Sequence, residues 1–274
     1  DFRDPWTEIS YYKHLKLTKI ADKKHRKLES EVFKNADVTL ATSYTDAENF
    51  RKKGANAFCI TNGFDVDAST TLSMTEENSK TLPLSNSTTK FTLSYIGVLE
   101  QLRNPEILWE TLNDLVQENA DFKNDFQLKF VGRLDDKILQ KIESSPLKNN
   151  LTNLGYQTHD VALKHMQDSS VLLMTNFPQE SSKGIIPGKI FEYLATGKTI
   201  LSFGPKDADG EKILNETKAG KHFGYEEKEN LKKFILESYQ NWKSGTLNQN
   251  AENIEQFSRK NLTQKLVDLM NKWF

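Results

Sequence analysis

The chain has 274 residues, 36% hydrophobic and 27% charged, enough for one large or two medium domains with a real core. Its formal net charge of −1 argues against nucleic acid as the main partner. A single cysteine, Cys59, excludes an internal disulfide and fits a reducing compartment, and no apolar run approaches the ~18 residues of a membrane-spanning helix.

The chain opens Asp-Phe-Arg-Asp-Pro-Trp, without a Met or a signal peptide, and reads as a piece of something longer. "VTLATS" (38–43) and "AFCITNGF" (57–64) are β-rich, separated by a polar helical pattern around "TDAENFRKKG". Residues 68–90 hold 13 Ser, Thr or Asn out of 23, the composition of a linker or long exposed connection. Regular patterning then returns. Strands are expected at 91–99, 126–132, 151–156, 171–176 and 198–204, and helices at 104–119, 134–145, 159–170, 189–197 and 209–220. Pro105 suits the first turn of its helix, where Ile107, Leu108, Leu112, Leu115 and Val116 share one face. Thr158 is placed to cap the helix after it. The tail, 252–274, carries Ile254, Phe257, Leu262, Leu266, Leu269, Met270 and Trp273 on one amphipathic pattern and must pack on something, the segment before the linker being the candidate.

Apolar strands alternating with helices argue for an α/β fold: a Rossmann-like parallel sheet covered on both faces. Such sheets bind ligands beyond the carboxyl ends of their strands, so the loops after residues 99, 132, 156, 176 and 204 hold the candidate chemistry.

The richest loop is "FPQESSKGIIPGKIFEY". Gly184 and Gly188 let backbone amides approach a ligand, the helix entered at Gly188 aims free N–H groups at it, and Lys189 adds a full charge. Glu192, one turn deeper, suits sugar hydroxyls. Together they fit a diphosphate-plus-ribose site; the plainer alternative is a Gly/Pro loop with a surface lysine. After the first strand of this half, Gly97 could let a ligand lie against the strand end, and Arg103 could hold phosphate oxygens, or be a solvated arginine. Gly155, Tyr156 and Gln157 could offer backbone groups and a flat surface to a base, or form a capped turn. Asp207-Ala208-Asp209 could hold a divalent metal with a nucleotide diphosphate, but the preferred reading makes Asp209 the N-cap of the next helix. His159 and His165 are not spaced as a helical metal pair. No Gly-x-Ser-x-Gly, Walker loop or Gly-x-Gly-x-x-Gly is present, which removes support from hydrolase, NTPase and dinucleotide-reductase readings.

The order "NADVTLATSYTDAENFRKKG…AFCITNGFD", "FTLSYIGVL…RNPEILWETL", "FQLKFVG", "LTNLGYQTHDVALKHMQDSSVLLM" and "GKIFEYLATGKTILSF…GEKILNETKAG" resembles the retaining GT-B glycosyltransferases, closest to family 4, over nearly the whole chain. The resemblance implies two Rossmann-like domains. Residues 1–66 would be the end of the acceptor domain, 67–90 the linker, 91–250 the nucleotide-sugar donor domain, and 251–274 a helix crossing back. It implies an EC 2.4 hexosyl-type transferase taking a nucleotide-diphosphate sugar to a glycan or lipid-linked acceptor in bacterial surface polysaccharide synthesis. On this resemblance Arg103 and Lys189 stabilise the departing diphosphate, Glu192 binds the ribose as the second Glu of an E-x7-E motif, and no metal is needed. Gly184 stands where that motif has its first Glu, a departure at the donor-sugar contacts. Work in the cytoplasm is implied, at the inner membrane face, with membrane association through an earlier part of the protein. The alternatives are a GT-B sugar-nucleotide epimerase, which needs further carboxylates and histidines at the cleft, and a non-catalytic nucleotide-sugar-binding module.

Overall fold

A computed structural model of the chain describes residues 2–9, 12–65, 90–248 and 251–273. The linker expected over 67–90 lies, except for Lys90, outside the described residues.

Ten α-helices and eight strands are seen among those residues. The N-terminal part contributes α1 (Lys19–Asn35), β1 (Thr39–Ala41), α2 (Tyr44–Lys52) and β2 (Ala57–Cys59). From residue 91 the order is β3 (Phe91–Ile96), α3 (Glu106–Glu118), α4 (Ala120–Asp125), β4 (Phe126–Val131), α5 (Asp136–Glu143), β5 (Leu151–Asn153), α6 (His159–Gln167), β6 (Val171–Thr175) and α7 (Lys189–Ala195). Then come β7 (Thr199–Phe203), α8 (Asp209–Thr217), β8 (Gly220–Phe223), α9 (Lys228–Lys243) and α10 (Arg259–Trp273).

Every expected α/β element of 91–220 is present, most of them shorter than their sequence pattern. Thr158 occupies the N-cap position of α6 but makes no side-chain cap bond. The edge strand β8 and helix α9 extend the pattern beyond the sequence reading, as α1 does before it.

The six-stranded sheet has the order β5-β4-β3-β6-β7-β8, and every pairing is parallel. This is the doubly wound order, in which the chain reverses direction across the sheet between its two central strands, here β3 and β6. The strand sequences explain why both faces are covered. In β3, Phe91, Leu93 and Tyr95 point to one layer and Ile96 to the other; in β6, Val171 and Leu173 oppose Leu172 and Met174. The first layer packs against Leu108, Leu112 and Leu115 of α3, Ile138 and Ile142 of α5, and Leu231, Ile235 and Tyr239 of α9. The second packs against Ile190, Phe191 and Leu194 of α7 and Ile213 and Leu214 of α8. Each such buried side chain contributes on the order of 1.5–3 kcal/mol.

The N-terminal part is a β–α–β unit. β1 and β2 pair in parallel, and Phe33, Phe50 and Ala47 pack with Phe2 above them. Its base is a buried carboxylate, Glu29, which accepts from the Thr7 amide at 3.0 Å, the Thr7 hydroxyl at 2.8 Å and Lys53 Nζ at 3.0 Å. Burial alone would favour the neutral acid. The Thr7 and Lys53 hydrogen bonds outweigh it and hold the carboxyl below its ordinary range. A depressed carboxylate contributes stability that is present above its unfolded value and disappears as pH falls through the folded one. Glu29→Gln is therefore expected to lower stability by about 1–2 kcal/mol at neutral pH and to flatten the acid side of a pH–stability profile measured by chemical denaturation.

The tail departs from expectation at its start. Residues Ile254–Phe257 form a 3-10 turn, and α10 begins only at Arg259. Docking on the N-terminal part is concentrated there. The Phe64 amide donates to Phe257 O at 3.1 Å, the Arg259 amide to Phe64 O at 2.9 Å, and Arg259 pairs with Asp65. Phe257 and Leu262 are buried, whereas Val267, Met270 and Trp273 remain exposed.

Candidate functional site

At the reversal point between β3 and β6 the strand end carries no side chain. Gly97 follows β3 with φ +116°, and Gly132 follows β4 with φ +123°. A Cβ on Gly132 would sit 2.2 Å from the Gly97 carbonyl oxygen, so the two turns approach more closely than any L side chain allows. The Gly97 amide donates to Val131 O at 2.7 Å and the Gly132 amide to Gly155 O at 2.7 Å. The carboxyl ends of β3, β4 and β5 are thereby laced into one bare floor.

Lys189 reaches this floor from the opposite strand's connection. Pro187 and Gly188 end the loop after β6, Gly188 takes the N-cap position of α7, and Lys189 is its first residue. The ammonium donates to Ile96 O at 2.9 Å, at the last residue of β3, and lies 4.0 Å from the centre of the Tyr95 ring. Burial lowers its pKa; the Tyr95 hydroxyl partly opposes that, and the Arg103 cation adds to it. The position of a Cβ on Gly97 is 3.2 Å from Nζ. Gly97→Ala is accordingly expected to strain the left-handed turn by about 1–2 kcal/mol and to push the ammonium off its carbonyl, seen as a lower melting temperature in thermal denaturation.

Arg103 closes the 3-10 turn Gln101–Arg103 before α3. Its guanidinium donates to Val98 O at 3.1 Å and to Glu100 Oε2 at 3.2 Å, and lies 5.4 Å from the centre of the Phe177 ring. Tyr225, after β8, donates to Asn176 O at 2.5 Å and feels the Arg103 charge. The strand ends and their loops thus gather Tyr95, Arg103, Phe177, Lys189 and Tyr225. Of these the sequence singled out only the two cations, because the aromatic residues carry no spacing that separates a ligand contact from core.

The remaining candidates divide. Glu192 is exposed on α7 and makes no hydrogen bond or ion pair with the described residues. Tyr156 is 87% exposed beyond β5, and Gln157 is turned back onto Leu154 O at 2.8 Å. Gly188 is exposed with open space at its Cβ position. Gly184 is placed elsewhere: a Cβ there would meet Ser43 Oγ at 3.2 Å and Asp46 Oδ1 at 3.3 Å, on the first turn of α2. It lines a 590 Å³ cleft between the N-terminal part and loop 180–186, with Asp4, Glu8, Asp46, Asn49 and Lys183 on the same walls. Within the cleft, burial raises the Asp46 carboxyl above its ordinary range against the opposing Ser43 hydrogen bond.

The N-cap expected at Asp209 is corrected. Ala208 takes that position without a side-chain bond. The Asp209 carboxylate, fully buried, instead accepts from the amide and hydroxyl of Thr45, each at 2.8 Å, and from Lys212 at 3.0 Å. It caps the start of α2 from the first turn of α8, a partner 164 positions away that no local pattern announces. Among the described residues no group of three or more His, Cys, Asp or Glu is arranged to hold a metal ion, and no helix is long and apolar enough to cross a membrane.

This architecture is the GT-B fold of glycosyltransferases, with its Rossmann-like sheet of six parallel strands. TarM of S. aureus, solved with fondaparinux, α-GlcNAc-glycerol and UDP, superposes with a TM-score of 0.63 at 16% identity, covering 93% of this chain and 48% of TarM. HepE of Anabaena in complex with UDP-glucose gives 0.61 at 18% identity, covering 91% and 68%, and sucrose-phosphate synthase of Thermosynechococcus elongatus gives 0.61 at 16%, covering 95% and 64%. The chain thus spans about half to two thirds of the length of these proteins. No protein-family model and no curated protein sequence matches it.

Proposed function

We propose that the chain is the donor-binding part of a retaining GT-B glycosyltransferase of the family 4 kind, with the end of its acceptor domain. It binds a nucleotide-diphosphate sugar at the ends of β3 and β6 and transfers the sugar to a glycan or lipid-linked acceptor. The observation that carries this reading is the Lys189 ammonium held on Ile96 O over the Gly97 turn, at the point where a doubly wound sheet opens its crevice. A diphosphate there would take the place of Ile96 O as hydrogen-bond acceptor, and Arg103 would add a second cation from the β3 loop.

In the transfer step the bond between the sugar's anomeric carbon and the diphosphate oxygen breaks, the acceptor hydroxyl oxygen bonds that carbon from the same face, and its proton passes to the departing diphosphate, on which negative charge develops. Lys189 and Arg103 stabilise it with their positive charges. With two cations in place, donor binding is expected to need no metal. Glu192, free on α7, would accept from ribose hydroxyls, and Tyr156 would present its ring to the base. The cleft beside Asp46 would receive the acceptor. That TarM and HepE were solved with UDP and UDP-glucose supports this reading, whose setting is bacterial surface polysaccharide synthesis. Work at the cytoplasmic membrane face belongs to the same reading.

Titration calorimetry with UDP, GDP and their glucose and N-acetylglucosamine derivatives, with and without EDTA, tests it. Micromolar binding of one nucleotide series, unchanged by EDTA, is the expected result. Binding with no transfer to any sugar acceptor points to a nucleotide-sugar-binding module instead, and absence of all nucleotide binding refutes the proposal.

A further inference from the structure

The chain contains a single Asn-Gly pair, Asn62-Gly63; every other asparagine precedes a residue with a side chain. The pair lies just beyond β2 and joins it to the point where the tail docks. On one side the Ile60 amide donates to Ala41 O at 2.9 Å; on the other the Phe64 amide donates to Phe257 O at 3.1 Å. Between these ties, neither the Gly63 amide nor the Asn62 side chain makes a hydrogen bond with the described residues. Asn62 is exposed on the wall of the 590 Å³ cleft, whose walls also carry Asp4, Glu8 and Asp46.

The fold leaves room for nothing larger than glycine at position 63. A Cβ there would lie 2.3 Å from Phe257 O and 2.5 Å from Leu262 Cδ1, so the docking of the tail requires the bare residue. The same requirement leaves the amide nitrogen that follows Asn62 with no side chain to shield it and no hydrogen bond to hold it. Asparagine is a chemically labile residue, and its side chain closes a ring most readily onto an amide in this condition.

We propose that Asn62 is a site of self-modification, at which the chain turns an amide of the cleft into a carboxylate. The Gly63 nitrogen bonds the Asn62 side-chain carbonyl carbon, the bond from that carbon to the side-chain nitrogen breaks, and ammonia leaves with the proton of the Gly63 amide. Water, the one co-reactant, then opens the resulting succinimide. Opening between the ring nitrogen and the former side-chain carbonyl gives aspartate; opening between the nitrogen and the main-chain carbonyl gives isoaspartate. Aspartate leaves the main chain as it was and adds a negative charge to walls that carry Asp4, Glu8 and Asp46, the last already raised above its ordinary range by burial. Isoaspartate routes the main chain through the former side chain and lengthens it by one carbon, next to a Gly63 that has no space beside Phe257 and Leu262. The modification does not depend on the diphosphate reading, since Asn62 is no part of the strand-end site. It changes the charge of the cleft and the seat of the tail.

Folded protein held for weeks in mildly alkaline buffer, sampled by peptide mass mapping with fragmentation and by enzymatic methyl labelling of isoaspartate, tests the site. Asn62 is expected to convert about ten-fold faster than any other asparagine among the described residues, because only here does the attacking amide carry no side chain. Asn62→Gln, whose extra methylene disfavours the ring, is expected to stay unlabelled at this position. Aged protein enriched in isoaspartate is expected to melt at a lower temperature, whereas Asn62→Asp, with an unaltered main chain, should melt close to the wild type. The urea-unfolded chain is the reference in which the fold holds nothing in place. Conversion at Asn62 in the unfolded chain but not in the folded protein, a rate there no greater than at the other described asparagines, or equal labelling of Asn62→Gln overturns the proposal.

Discussion

Replacing Lys189 with alanine is expected to weaken nucleoside-diphosphate binding by about 10- to 150-fold, the range for loss of one charge-assisted hydrogen bond. The structure gives this residue, rather than Arg103, the larger share. Its ammonium stands on the bare floor at the reversal point, while the guanidinium already has Glu100 and Val98 O as partners. The change is not expected to unfold the chain, because Ile190, Phe191 and Leu194 carry the packing of α7. Lys189→Met, which keeps the aliphatic stem over Tyr95, separates the charge from the packing. The pH dependence has a definite sign. Burial depresses the Lys189 pKa, so in the free protein the ammonium loses its proton at a lower pH than an exposed lysine. Between the depressed and ordinary values the unfolded chain binds more protons, and stability rises with pH. Nucleotide affinity moves the other way, because a diphosphate binds the charged form, and it should fall as pH rises through the depressed value. Calorimetry across the alkaline range in wild type and Lys189→Met checks this. An affinity that falls equally in both, or does not change, would exclude Lys189 as the phosphate contact.

The second large effect is expected at Asp209. Asp209→Ala strips an acceptor from the amide and hydroxyl of Thr45 and from Lys212 at a fully buried position. Leaving buried donors unpaired costs about 2–4 kcal/mol here, equivalent to a melting-temperature drop of roughly 5–10 °C for a chain of this size. The loss should be felt first in the N-terminal part, whose tie to α8 is this carboxylate. Cys59 provides the readout. It is half-buried within the influence of Asp209 and Lys265, and burial pushes its thiol up to about 12, so labelling by a thiol reagent near pH 8 should be slow in the wild type. Asp209→Ala should accelerate it, and Asp209→Asn, which keeps one acceptor oxygen, should fall between. Unchanged labelling and melting would show that the N-terminal part is held by the Phe257–Phe64 contacts alone.

The α/β reading was legible because parallel strands buried on both faces announce themselves as short apolar runs such as Phe91–Ile96 and Val171–Thr175. Helix α3 was legible from Leu108, Leu112 and Leu115 on one face. Helix α1 was not. Only Glu29 and Phe33 are buried among its 17 residues, and a buried carboxylate erases the apolar periodicity that would mark the inner face. β8 was hidden for a similar reason: as an edge strand it exposes Lys221 and has only Phe223 fully buried. At the site, Lys189 and Arg103 stood out by charge and by their place after glycine-bearing strand ends. Tyr95, Phe177 and Tyr225 did not, since an aromatic residue near a strand end is ordinary core until its neighbours are known.

Local sequence determined the elements and their alternation, because a strand's two-residue period and a helix's 3.6-residue period depend only on near neighbours. It also determined which loops could carry cations and which turns required glycine. Tertiary structure alone decided that β3 and β6 lie side by side, and so that a lysine from one connection rests on the other strand's last carbonyl. It decided, too, that Asp209 caps α2 rather than its own helix, and that Gly184 faces the cleft. These are pairings over tens to hundreds of residues, fixed by how layers stack, and no short window of sequence contains both partners.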